Sequence, residues 1–250
     1  MDVFGEIWDR ATSVQQEPGA GVILACALLA LVLVGTPTTW RAVRHLVTIT
    51  HEGAHGVAAL LTGRRLHGIR LHADTSGLTV SSGRSRGPGM IVTLAAGYLG
   101  PALVGLGAAA LLLSGYALGV LWAFVVLLAL LLLQIRNLYG LAVVVGCGGA
   151  LVVLSWYLPP SAQSVLAYVL TWLLLVAAPK PVLELARQRR RGQARTSDAD
   201  QLALLTRWPG WAWVAVFLVA NLAGLVVAVT WLLPDMAEAA GTWLGGLGID

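Results

Sequence analysis

Residues 89–134 read GMIVTLAAGYLGPALVGLGAAALLLSGYALGVLWAFVVLLALLLLQ. The stretch holds no Asp, Glu, Lys or Arg, and its turn signal is Ser114-Gly115. A helix needs about 20 apolar residues to cross a hydrocarbon core. In lipid every backbone N–H and C=O must be satisfied within the segment, so such runs are helical. The stretch therefore reads as two membrane helices, 89–113 and 116–134, joined by a tight turn.

Similar apolar segments lie at 19–35, 43–62, 138–157, 162–179 and 211–233. Short turns at Gln134–Asn137 and Leu158–Ser161 imply sequential antiparallel helices. The composition agrees: 250 residues, 58% hydrophobic, 11% charged, mean hydropathy +0.80. A soluble domain carries about 25% charged residues. A disordered chain, a disulfide scaffold and an ordinary soluble enzyme are excluded. The expected fold is an all-α polytopic membrane protein of about seven transmembrane helices, with a short β-hairpin after the histidine-bearing helix. Residues 1–18 form an N-terminal cytoplasmic segment, 19–233 one membrane domain, and 234–250 a C-terminal tail. Within the domain, 66–82 is the hairpin, its strands flanking Asp74-Thr75-Ser76-Gly77, an Asx-type turn. Residues 180–210 are a basic cytoplasmic loop, in which Thr196 or Ser197 caps a short helix.

Charge sets the expected orientation. Arg64, Arg65, Arg70, Arg84 and Arg86, then Arg136, then Lys180 to Arg207 occupy alternate connections. The positive-inside rule puts them in the cytoplasm. Seven crossings then start the chain inside and end it outside, in a cell membrane. Arg41 and Arg44 do not fit this arrangement. The basicity marks orientation rather than nucleic-acid binding. Cys26 and Cys147 lie in apolar runs without a CxxC partner, so neither a disulfide framework nor a thiolate metal site is expected.

His51-Glu52-Gly53-Ala54-His55 matches H-E-x-x-H. Four residues apart on a helix, the two imidazoles project from nearly one face and can bind one zinc ion. Glu52 beside them suits a general base on zinc-bound water. Ionisable groups inside a span are costly and mark function. A catalytic zinc site takes three protein ligands, so one is missing from the motif. A distant carboxylate, Asp198 or Asp200, is the expected third ligand, with Asp198 preferred. His67, His72 and Asp74 are the fallback. Asn221, inside the last apolar segment, either binds a substrate backbone or ties two helices together. Asn137 reads as a helix cap.

The chain resembles the M50 family of intramembrane zinc metallopeptidases, the site-2-protease clan, and in particular its M50B-like actinobacterial membrane proteins. The likeness spans about residues 45–230. It is carried by Thr50-His51-Glu52-Gly53-Ala54-His55-Gly56, by 61–65 and 71–79, by Ala96-Gly97-Tyr98-Leu99-Gly100-Pro101, by 136–140 and by Ser197-Asp198-Ala199-Asp200. The resemblance implies zinc on His51 and His55, Glu52 as base, and a membrane-spanning protein substrate such as an anti-sigma factor or another membrane regulator. The family's third ligand sits in an L-D-G motif that this chain lacks, and Asp198 is its nearest counterpart. The chain shows no PDZ or CBS module. The alternative reading is a non-proteolytic membrane metal-binding or regulatory protein, with a transporter behind it.

Overall fold

The computed structural model describes residues 3–192 and 196–238. The elements are α1 (Val3–Thr12), α2 (Ala20–Gly35), α3 (Pro37–Leu61), β1 (Arg65–Leu71), β2 (Gly77–Ser82), α4 (Pro88–Leu113), α5 (Ala117–Leu132), α6 (Leu138–Tyr157), α7 (Pro160–Ala177), α8 (Pro179–Arg190), α9 (Asp198–Leu205) and α10 (Gly210–Leu232).

All seven apolar segments are helical, but they do not make seven independent spans. Four helices are long and apolar enough to cross a membrane: α4, α6, the α7–α8 pair and α10. The α2–α3 pair makes a fifth candidate, bent by 103° at Thr36. Thr36 is extended (φ −81°, ψ 126°) and Pro37 opens α3. A residue before proline is pushed out of the α region, which breaks the helix there. α5 is apolar but only 16 residues long.

The bend resolves Arg44. α3 begins earlier than the hydropathy suggested, and its first turns pack on α8. Arg44 pairs with Glu184 at 3.2 Å, and the Trp40 indole N–H donates to the same carboxylate at 2.9 Å. The expected basic loop at 180–210 is largely helical. Pro179 starts α8 at the end of α7, and Ser197 caps α9 by accepting from the Asp200 N–H.

The hairpin forms where its turn chemistry placed it. The Ser76 N–H donates to Asp74 Oδ1 at 3.0 Å, and Thr75 takes a positive φ of 68°. The strands pair antiparallel from Arg65↔Ser82 to Leu71↔Gly77. The turn between α5 and α6 docks on the outer edge of β1. Ile69 N–H donates to Gln134 O at 2.7 Å, and Arg136 N–H to Ile69 O at 2.9 Å. Asn137 makes no side-chain cap to α6. Its amide instead pairs with both backbone groups of Leu71, at 2.7 and 3.2 Å. β1 is thus paired on both edges, and among the described residues β2 keeps one edge free.

The two ends of the bundle differ. At one end Gln15 N–H donates to Gly115 O, Gln15 Oε1 accepts from Leu118 N–H, and the Arg10 guanidinium lies over the Trp156 ring. Ala20 and Gly21 meet Leu233 and Pro234 around a cavity of about 140 Å³. The hairpin and the 133–137 turn lie at the other end of α4, α5 and α6. The N-terminal segment and the Arg-rich hairpin therefore lie at opposite ends of the bundle. The C-terminal end of α10 lies at the same end as the start of α2, where Leu233 and Pro234 meet Ala20 and Gly21.

This arrangement is testable by thiol labelling in sealed vesicles, with Cys26 and Cys147 first changed to Ser. Ser13→Cys and Arg84→Cys should react with a membrane-impermeant reagent from opposite faces. Labelling of both from one face would reject it.

Candidate metal centre

α3 carries the motif, and its faces meet different neighbours. One side packs on α4 and another on the hairpin. Residues one apart on a helix are separated by about 100°, residues four apart by about 40°. His51 and His55 consequently face α4 together, while Glu52 points toward the hairpin.

On the α4 side three donor atoms converge. His51 Nε2 and His55 Nε2 are 3.1 Å apart, and Asp198 Oδ2 is 3.3 Å from each. These residues form the one group among the described residues able to hold a metal ion. Tetrahedral zinc bound at 2.0–2.1 Å sets its donors about 3.3 Å apart, so the triangle matches one face of that tetrahedron. The proton economy fits as well. His55 Nδ1–H donates to the Thr93 carbonyl at 2.7 Å, which leaves its Nε2 lone pair facing the other two donors. With the His55 lone pair and the Asp198 carboxylate turned to one point beside His51 Nε2, the group can hold a cation, and an imidazole that binds a metal commonly donates its other N–H to a backbone carbonyl.

α4 reaches the histidines through glycine. A Cβ on Gly97 would overlap the His55 imidazole and come within 2.7 Å of His51 Cε1. The next residue, Tyr98, sets its ring edge against His51, with centroids 4.8 Å apart, and stacks on Phe217 at 5.1 Å.

On the hairpin side, Glu52 is buried and held. Thr79 Oγ1–H reaches Glu52 Oε2 at 2.6 Å and the Glu52 backbone oxygen at 3.0 Å. A Cβ on Gly77 would stand 2.6 Å from Glu52 Oε1. β2 therefore lies directly on the glutamate.

Asp198 reaches the centre from the first turn of α9. Ala199 and Leu202 seat that helix in an apolar cluster with Leu94, Val182, Leu185, Val214 and Phe217. Asp200, the other expected carboxylate, is not a ligand here. It pairs with Arg189 and accepts from Ser197 Oγ–H at 2.6 Å. Burial raises the Asp200 carboxyl, but the hydrogen bonds from Ser197 and Arg189 outweigh it and hold the group below its usual range. His67 bonds Ser82, while His72 and Asp74 bond Ser76; none joins the centre. Asn221 is fully buried and donates to the carbonyls of Tyr98 at 3.1 Å and Ala178 at 3.4 Å. It ties α10 to α4 and to the end of α7, as the structural reading of this residue expects. Thr93, Gly97, Gly77 and Thr79 were not legible as site residues, because each acts through a contact between distant elements.

A family model described as Peptidase M50B-like matches residues 24–228. No curated protein and no solved structure matches significantly.

Gly97→Ala should displace the imidazoles and weaken zinc binding by about 10–100-fold, the usual effect of disturbing ligand support. Gly107→Ala, on the same helix with nothing within 4 Å of the added atom, should bind zinc as the unaltered chain does. Competition with a chromophoric chelator measures both.

Proposed function

The chain belongs to the M50B-like peptidase family, and from that premise we propose that it is a zinc-dependent intramembrane protease acting on membrane-spanning proteins. The observation that carries this reading is the triangle of His51, His55 and Asp198 with Glu52 between the two histidines in sequence. The apolar helices and the family together make it a multi-pass membrane protein.

His51, His55 and Asp198 would hold the zinc ion. When bound, zinc lowers the pKa of a coordinated water toward about 7 and polarises a peptide carbonyl. Glu52 takes the proton from the attacking water and passes it to the leaving amine. Thr79 fixes the Glu52 carboxylate by its hydroxyl. Burial of Glu52 and His55 keeps bulk water away from both.

The substrate must arrive extended, because a helical segment has its carbonyls already hydrogen-bonded. The free edge of β2 suits an added strand, while the outer edge of β1 is closed by Gln134 to Asn137. Strand addition uses main-chain pairing and so tolerates varied sequences. A substrate helix with destabilising residues near the cut is the natural fit. The Arg-rich end, with the hairpin, faces the cytoplasm by the positive-inside rule. The N-terminus then lies outside.

The test pairs metal analysis with cleavage. Purified protein should hold one zinc ion per chain, lost in His51→Ala, His55→Ala and Asp198→Ala. Glu52→Gln should keep the zinc and lose at least about 100-fold in cleavage, the typical weight of a general base. The probe is a co-expressed single-span reporter with Gly-Pro near its cytoplasmic end. Glu52→Gln cleaving at the unaltered rate would reject Glu52 as base.

Thr79→Val should retain zinc and lower turnover by about 10-fold, with Thr79→Ser near the unaltered rate. Equal turnover in all three would show that the hydroxyl does not support Glu52.

A further inference from the structure

The third ligand reaches the centre on a short helix rather than on a membrane span. α9 has 8 residues, and Asp198 is its first. Across the fold, α9 packs on α4 and α10. Apolar packing of Ala199 and Leu202 seats one face of α9, the first turn included. Polar contacts hold another face of that first turn.

Those contacts form one connected set. Ser197 Oγ–H donates to Asp200 Oδ2 at 2.6 Å, and Asp200 Oδ1 pairs with the guanidinium of Arg189 on α8. The side chains of Arg189 and Asp200 are only 14% and 22% exposed. The guanidinium also faces the Trp211 ring at 5.6 Å. A Cβ on Gly210 would stand 2.9 Å from Arg189 Cζ, so the start of α10 closes over it. The charge is enclosed between three helices, with Asp200 its one acidic partner among the described residues. An enclosed pair of this kind resists separation, because parting it strands a desolvated charge.

We infer that Arg189 is a positioning residue of the metal centre: acting through Asp200, it fixes the first turn of α9 so that Asp198 completes the donor triangle. This rests on the zinc reading above. Asp200 serves the site without touching the metal, two residues along from the ligand it orients.

The experiment measures zinc affinity of the purified full chain in detergent by chelator competition, beside the absorption spectrum of the cobalt-loaded protein. Arg189→Met and Asp200→Asn should each weaken zinc binding by about 10–100-fold, the range for ligand-supporting groups. The double variant should be no weaker than either single one, since both break the same link. Arg189→Asp with Asp200→Arg, restoring the pair in reverse, should recover affinity and the tetrahedral cobalt spectrum. The metal-free melting temperature of each variant gives the structural contribution.

Zinc affinity within twofold of the unaltered chain in both single variants would overturn the inference. So would a loss that simply tracks melting temperature and is not recovered by the reversed pair. His51→Ala separates the two readings. If it binds zinc as the unaltered chain does, the metal centre itself is wrong. If it loses zinc while Arg189→Met retains it, only the positioning role fails.

Discussion

Two imidazoles and a carboxylate are enclosed together in an apolar bundle, and the contact among them joins the third helix to the ninth. Each of these polar groups would be costly to enclose alone. They are tolerated because they face one another at 3.1–3.3 Å and because the outer nitrogen of His55 is satisfied by a carbonyl. Much of the architecture around them serves that convergence. Gly97 lets α4 approach, the break at Thr36 lets α3 leave the direction of α2, and the return of the chain through α8 and α9 brings the carboxylate.

α3 divides the site into two faces. Its α4 face carries the donors, and its hairpin face carries the glutamate under β2. The separation follows from helix pitch, since His51 and Glu52 point about 100° apart. It gives the hairpin direct contact with the base through Thr79 and Gly77. The hairpin is in turn fixed to the membrane helices, with β1 sealed by the 134–137 turn. The strand that covers Glu52 is the one with an edge left to pair. In the proposed mechanism, substrate capture and proton transfer fall to neighbouring parts of one small sheet.

Much of this was legible from residue order. The apolar runs became helices, Asp74 to Gly77 became a turn, and Ser197 became a cap. These are local effects of hydropathy and side-chain-to-backbone hydrogen bonding. Asp198 and Asp200 were harder, because two carboxylates two residues apart carry the same local signal. Their roles separate only because Arg189 faces one and the histidines face the other. Arg44 stood out against the expected crossings for the same reason. A charge next to an apolar segment looks like a segment end until its partner, Glu184, is brought beside it.

By itself the sequence determined the class of fold, the helix that bears the metal-binding pair, the place of the hairpin and the family. Each rests on spacing within one element or on composition summed along the chain. Only the tertiary structure decided that Asp198 completes the triangle, that Asn221 bonds to two other helices, that α2 and α3 bend apart at Thr36, and that α1 lies at the end of the bundle away from the hairpin. Those outcomes depend on which distant groups meet, and a buried charge or amide takes whichever partner the packing of helices leaves within reach.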